Sequence, residues 1–172
     1  GELAMLGAGS WHGPAFAGEP PATLAAIFRY LRANGFSCNV EIKPSPGNEW
    51  RTGAAVALDV KALAQGMAVV PLLSSFSETA LEAARATVPD LPRALLFDAL
   101  PENWLELLER LDCAALAANH KALSAEIVAR AHAAGRRVLC YTVNDPERVQ
   151  TLFEWGVDSV ITDAVDRLPP HA

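Results

Sequence analysis

Cysteine is scarce in this chain: Cys38, Cys113 and Cys140 are the only three in 172 residues, and none stands in a CxxC pair or beside a histidine. That scatter excludes a zinc site and a disulfide framework, and predicts buried thiols held in a reducing compartment. Basic residues are also in deficit. Fourteen Lys and Arg stand against twenty Asp and Glu, a net charge of -6. A general affinity for nucleic acid or anionic membrane needs a basic surface to displace counterions, so neither partner is expected. No apolar run approaches the roughly 18 residues that cross a bilayer, and no basic n-region with an apolar h-region opens the chain. The expected location is the cytoplasm. Absent too are a G-x-G-x-x-G after the first strand, a G-x-S-x-G elbow and a P-loop. The chain opens on Gly1 rather than methionine, so its first residue is not expected to be a natural start.

What is present suffices for one domain with a sizeable core, because 51% of the residues are hydrophobic and only 20% charged. From Ala22 onward short apolar β-like runs alternate with longer amphipathic stretches, the pattern of parallel βαβ units. Six strands are predicted, at Cys38–Ile42, Ala68–Leu73, Arg93–Phe97, Ala114–Ala118, Arg137–Thr142 and Asp158–Thr162. Helices are predicted at Thr23–Ala33, Thr52–Gln65, Glu78–Thr87, Asn103–Leu111, Ser124–Ala134 and Pro146–Trp155. Ser77 and Asn144-Asp145 supply N-cap side chains, and Gly35, Gly66, Gly135 and Gly156 each follow a helix as stop signals. This order suits either an open doubly wound sheet or most of a (β/α)8 TIM-type barrel. The missing dinucleotide fingerprint weakens the first. A whole barrel needs about 250 residues, so six strands leave it two units short. Residues 1–21, rich in Gly and Pro, read as an insertion or loop over one end, and 22–172 as the six-stranded remainder.

In parallel α/β folds chemistry sits where strands end. Alternation along the first strand puts Asn39, Glu41 and Lys43 on one face and Val40 and Ile42 on the other. If the first face points into the barrel, a carboxylate suited to Mg²⁺ or Ca²⁺ and an ammonium suited to a phosphate oxygen project together. The alternative is an internal Glu41–Lys43 ion pair. At the second strand end Ser75 and Ser77 offer hydroxyls to a polar substrate or cap the following helix. The fourth ends in Asn119-His120-Lys121, where His120 is an acid/base candidate or a plain hydrogen-bonding residue. No second histidine is spaced to pair with it, His12, His132 and His171 lying in the opening loop, on a helix and in the tail. The fifth end offers the ring of Tyr141 and the amide of Asn144, and the sixth offers Asp163. Asn144 and Asp163 also read as caps.

The set N-V-E-I-K-P at Asn39–Pro44, L-L-S-S-F at Leu72–Phe76, Y-T-V-N at Tyr141–Asn144 and G-V-D-S-V-I-T-D at Gly156–Asp163 resembles the glycerophosphodiester phosphodiesterases. G-S-W at Gly9–Trp11 and F-A-G-E-P at Phe16–Pro20 are similar to the insertion that precedes the E-I-K strand in bacterial cytosolic members. The resemblance implies a hydrolase of lipid and glycerol metabolism. It would use a divalent cation, Mg²⁺ or Ca²⁺, to cleave a small-molecule glycerophosphodiester into glycerol 3-phosphate and an alcohol. It makes Glu41 a metal ligand and Lys43 a contact to the substrate phosphate, with Tyr141, Asn119 and Ser75 as further substrate-binding candidates. Such a cation would polarise the phosphoryl group and stabilise charge on its oxygens.

Family members also carry an H-R-G strand end, an E-x-D pair and an H-D, and none of these precedes Glu41 here. Those histidines are the family's acid/base pair and those carboxylates its other metal ligands, so no catalytic residue is assigned in this chain. Ca²⁺ takes roughly 6 to 8 oxygen ligands, so Glu41 alone is a poor site. The expectation is a barrel lacking its first two strands, inactive alone, its missing part supplied by an N-terminal segment or a partner chain. The competing readings are a non-catalytic barrel-derived binding or assembly module, and an unrelated barrel enzyme with a phosphate pocket near the last two strands.

Overall fold

A computed structural model of the chain describes residues 6–168. Residues 1–5 of the expected insertion, and the tail from 169 with His171, lie outside the described residues. After a 3-10 turn at Pro14–Phe16 the elements run α1 (Leu24–Asn34), β1 (Asn39–Glu41), α2 (Glu49–Leu63), β2 (Leu72–Ser75), α3 (Glu78–Thr87), β3 (Arg93–Phe97) and α4 (Trp104–Arg110). They continue with β4 (Ala115–Asn119), a 3-10 turn at His120–Ala122, α5 (Ala125–Ala133), β5 (Arg137–Tyr141), α6 (Pro146–Glu154) and β6 (Ser159–Val160).

The six strands pair in sequence order, every pair parallel. Order decides the architecture. A doubly wound sheet reverses direction partway and places helices on both faces, whereas right-handed crossovers between successive neighbours place every helix on one face. The result is the curled parallel wall of a TIM-like half-barrel. Among the described residues β1 and β6 each have one strand neighbour.

Local chemistry explains the helix starts. The hydroxyls of Thr23, Ser77 and Ser124 accept from the backbone N–H of Ala26, Ala80 and Ile127, and Asp145 accepts from Glu147 with Pro146 in the first turn behind it. α1 stops at Gly35, whose φ of 70° lies in the left-handed region. α2 packs against α3 at Gly53, where a Cβ would stand 2.1 Å from the carbonyl oxygen of Ala80. Only glycine fits there.

Most boundaries depart from the sequence prediction by one to four residues, furthest at β2. β2 was expected over Ala68–Leu73 but spans Leu72–Ser75, and Val69 and Val70 are more than half exposed. Partner strands set the register: Asn39 lies opposite Leu72, and Leu73 opposite Arg93. The Val69-Val70 run is β-like in composition but has no strand beside it. The shift makes Ser74 and Ser75 strand residues, with consequences for the site.

The sheet has two different faces. Val40, Ile42 and Leu73, and further along Leu95, Leu116, Val138 and Cys140, pack under the helices in two large clusters. Ala94, Leu96, Ala115 and Ala117 form a separate cluster on the other face, with Leu72, Leu139 and Tyr141 against it. Three of those four buried residues are alanines, which lets this side be the concave one. Cys38, Cys113 and Cys140 are free thiols, and burial pushes Cys113 and Cys140 up to about 11. No helix among the described residues is long and apolar enough to cross a membrane.

Candidate active site

Because Val40 and Ile42 lie under the helices, Asn39 and Glu41 fall on the opposite, concave side, and Lys43 follows β1 two residues beyond Glu41. Glu41 and Lys43 are exposed, and no ion pair joins them. The internal pair considered from the sequence does not form, which leaves carboxylate and ammonium open to a ligand. Glu41 lies opposite Ser74 on β2, and Ser74 opposite Ala94 on β3. Ser74 is fully buried, and among the described residues its hydroxyl has no hydrogen-bond partner.

The ends of β3, β4 and β5 supply the rest. Tyr141 donates its hydroxyl to the carbonyl of Phe97 at 2.8 Å, and its ring meets Phe76 edge-on at 6.0 Å between centroids. The phenol is pushed up to about 12, chiefly by burial, with the negative charges of Asp98 and Glu41 adding to it. Asn119 donates its amide to Asp98 at 2.8 Å and accepts from the backbone N–H of Lys121 at 3.0 Å. Strand ends far apart in sequence thus converge on one mouth. Glu41, Asn119 and Tyr141 belong to it, together with Phe76 and Asp98.

Ser75 does not. Expected as a substrate contact, it is fully buried and in phase with Leu73 on the helix side. Its hydroxyl donates to the Ile42 carbonyl at 2.7 Å and accepts from the Ser77 N–H at 3.0 Å. The β2 register causes this, because alternation from Leu72 turns Ser74, not Ser75, to the concave side. Ser77 caps α3.

His120 is held by Arg148, which donates to its ring Nδ1 at 3.3 Å and to its carbonyl at 2.6 Å while lying 4.6 Å over the Trp155 ring. Burial, then the charges of Arg148 and Lys121, lower the imidazole from its ordinary value. A neutral ring accepting at Nδ1 fits this brace. Asn144 ties β5 to the segment after β6, accepting from the Thr162 hydroxyl and the Asp163 N–H, each at 2.9 Å.

Asp98 was missed by the sequence reading. The strand-end rule would have flagged it had it been applied to β3. Its link to Asn119 spans 21 positions and has no local signature.

Among the described residues no three His, Cys, Asp or Glu side chains gather to hold a metal. Glu41 and Asp98 are the carboxylates facing Tyr141, and a hard cation needs about six oxygens. The residues present do not by themselves fit a divalent cation. A cleft of about 1040 Å³ lies between α6 and β6, lined by Phe153, Glu154, Asp158, Val160, Arg167 and Leu168. It follows the sheet edge at β6 and holds none of the residues gathered at the mouth.

Residues 1–167 match the model of the glycerophosphoryl diester phosphodiesterase family. A phosphodiesterase of Oleispira antarctica, solved in complex with the product sn-glycerol-3-phosphate, is 33% identical with a TM-score of 0.86, over 96% of this chain and 67% of its own. A glycerophosphodiester phosphodiesterase of Caldanaerobacter subterraneus subsp. tengcongensis is 28% identical over 97% of this chain and 68% of its own length. An Agrobacterium tumefaciens enzyme of that name, 21% identical with a TM-score of 0.73 over 96% of this chain and 68% of its own, shares the fold. The chain belongs to the glycerophosphoryl diester phosphodiesterase family.

Proposed function

We propose that this chain carries the phosphate- and alcohol-binding side of an enzyme that adds water across a P–O bond of a glycerophosphodiester, giving glycerol 3-phosphate and an alcohol. The observation that carries this is the exposed Glu41 on the concave face with an exposed Lys43 two residues after it, the two not paired with each other, in a chain whose relative was solved with sn-glycerol-3-phosphate. Lys43 would hold a phosphate oxygen by a charge-assisted contact. Asn119 and Tyr141 would border the substrate, the amide of Asn119 set by Asp98 and the ring of Tyr141 by its bond to Phe97.

The proposal includes dependence on Mg²⁺ or Ca²⁺ with Glu41 as one ligand. A bound cation would supply charge stabilisation at the phosphoryl oxygens. The remaining ligands and the acid/base groups would come from a preceding segment or a partner chain, which would also add the strands that complete the barrel, residues 1–21 lying over one end as an insertion. The open neighbours of β1 and β6 support that part of the reading. Free thiols and the charge of -6 support a cytoplasmic enzyme without nucleic-acid or membrane partners.

The test is phosphorus NMR of glycerophosphocholine incubated with Mg²⁺ or Ca²⁺. The chain is assayed alone and joined to the part of the Oleispira antarctica phosphodiesterase that it does not cover. The expected result is no turnover by the chain alone, and release of glycerol 3-phosphate by the chimaera that chelation abolishes. Robust turnover by the chain alone would refute the shared site. A folded, cation-loaded chimaera that leaves the diester intact would refute the phosphodiesterase assignment.

A further inference from the structure

Between α1 and the end of α2 the helix layer is open. A groove of about 540 Å³ runs there, lined by Ala25, Phe28, Arg29 and Arg32 from α1 and by Ala62 and Leu63 from α2. The α1 residues stand at i, i+3, i+4 and i+7, so they form one stripe of that helix. The floor is apolar: Phe28 is fully buried and packs in one cluster with Val60 and Leu63. None of the residues gathered at the mouth lines this groove.

Two cations border the floor. Arg29 and Arg32 are one turn apart, and residues at that spacing stand about 5 to 6 Å from each other at Cβ, close enough for both guanidinium groups to reach one anion. Arg32 donates one amino group to the Gln65 carbonyl at 3.0 Å, from α1 to the turn that follows α2. That bond fixes its planar head at the groove and leaves its other N–H groups to donate. A role as a tie between helices would account for Arg32 but not for Arg29, which makes no ion pair or hydrogen bond among the described residues.

Nothing in the groove neutralises the pair. Its lining contains no carboxylate, and Asp59, one turn before Leu63 on α2, is outside the lining and pairs with neither arginine. Positions 20–40 and 60–77 carry Arg29, Arg32 and Lys61 and no Asp or Glu, although the chain as a whole has a net charge of -6. The groove is thus a local inversion of the field that the rest of the protein sets up.

Guanidinium forks match the oxygens of a phosphate or carboxylate with paired hydrogen bonds, and an apolar floor adds stabilisation only where the ligand carries hydrocarbon. Small-ligand pockets span about 300 to 1,000 Å³, so the volume suits a compact molecule. We propose that the α1–α2 groove binds an amphiphilic anion, its phosphate or carboxylate head held by Arg29 and Arg32 and its short apolar tail laid over Phe28 between Ala25, Ala62 and Leu63. The site stands apart from the mouth and does not rest on the phosphodiesterase reading.

The experiment titrates the 172-residue chain with octyl phosphate, octanoate, inorganic phosphate and 1-octanol, followed by NMR of the backbone amides. Each of the two amphiphiles is expected to bind roughly tenfold or more tightly than the head or the tail alone, the tighter one naming the head group. The shifts should centre on residues 25–32 and 62–65. Arg29→Gln, which has no bond to lose, should weaken both amphiphiles by roughly tenfold and leave the melting curve in place. Ala62→Phe, at an exposed position, should fill the groove and weaken both with the arginines intact. Equal affinity for head, tail and amphiphile, detectable binding of none of them, shifts centred on the mouth, or binding that survives both substitutions overturns the proposal.

Discussion

Tyr141 and Phe97, 44 positions apart in sequence, are joined by a single 2.8 Å hydrogen bond from phenol to backbone carbonyl that closes β5 onto the end of β3. The bond holds the ring against Phe76 and removes the hydroxyl from the set of groups free to donate to a ligand. Tyr141→Phe should therefore keep the ring, cost about 1 kcal/mol of stability, and leave ligand binding largely unchanged. With the phenol raised to about 12 from an ordinary 10, its contribution to stability is present below pH 10 and lost as pH rises through 12. Alkaline unfolding followed by circular dichroism checks the sign. A Phe variant with unchanged alkaline sensitivity would show that the phenol does not govern it.

Glu41→Gln in the active chimaera should lower turnover by roughly a hundredfold or more and raise the cation concentration needed for half activity, because the amide keeps the shape but not the charge. Stability should barely move, since Glu41 is exposed and has no ion pair to lose among the described residues. Melting beside a metal titration reads both. Full metal-dependent turnover in the variant would remove Glu41 from the ligand set.

Asp158 gathers three partners at the end of the sheet opposite the mouth: the His132 ring at 2.8 Å, the Arg137 guanidinium at 2.6 Å and the Val138 N–H at 2.8 Å. Burial pushes its carboxyl up, but the bonds from Val138, His132 and Arg137 outweigh that and leave it below the usual range. Stability tied to this carboxylate is thus present above the unfolded value near 3.8 and lost as pH falls below it. Asp158→Asn should cost about 1 to 2 kcal/mol near neutrality, solvent screening at the exposed Arg137 keeping the figure small. The difference from the unaltered chain should shrink below pH 4. A gap that stays constant down to pH 2 would refute the linkage.

Gly53→Ala tests how closely α2 and α3 pack. The added methyl meets backbone at Ala80, which no rotamer change can relieve, so the helices must move apart. A loss of about 1 to 3 kcal/mol is expected in denaturant titration, against the gain of up to about 1 kcal/mol that alanine normally brings to a helix interior. A more stable variant would mean that the contact is looser than described.

His120 gives an acid-side prediction at the mouth. Its lowered imidazole pKa favours the neutral ring in the folded chain, so the associated stability is present above about pH 6.5 and declines as pH falls through that value. Arg148→Met removes both the donor to Nδ1 and the like charge. The NMR titration of His120 should then move upward. An unmoved titration would leave burial and the charge of Lys121 as the causes.

Sequence alone determined the alternation of six strands and six helices, because each element carries its own periodicity and most helices their own cap, as at Ser77 and Ser124. It also determined the shared face of Asn39 and Glu41, since a period of two is a property of one short segment. Tertiary structure decided what depends on a neighbour. The pairing of Leu72 with Asn39 and of Leu73 with Arg93 moved β2 forward, which turned Ser75 into the helix layer and Ser74 toward the mouth. Asp98 meets Asn119, and Tyr141 meets Phe97, only because parallel strands in sequence order bring distant strand ends side by side. Register between strands is set by backbone pairing and shared burial across dozens of residues, and no single segment records it.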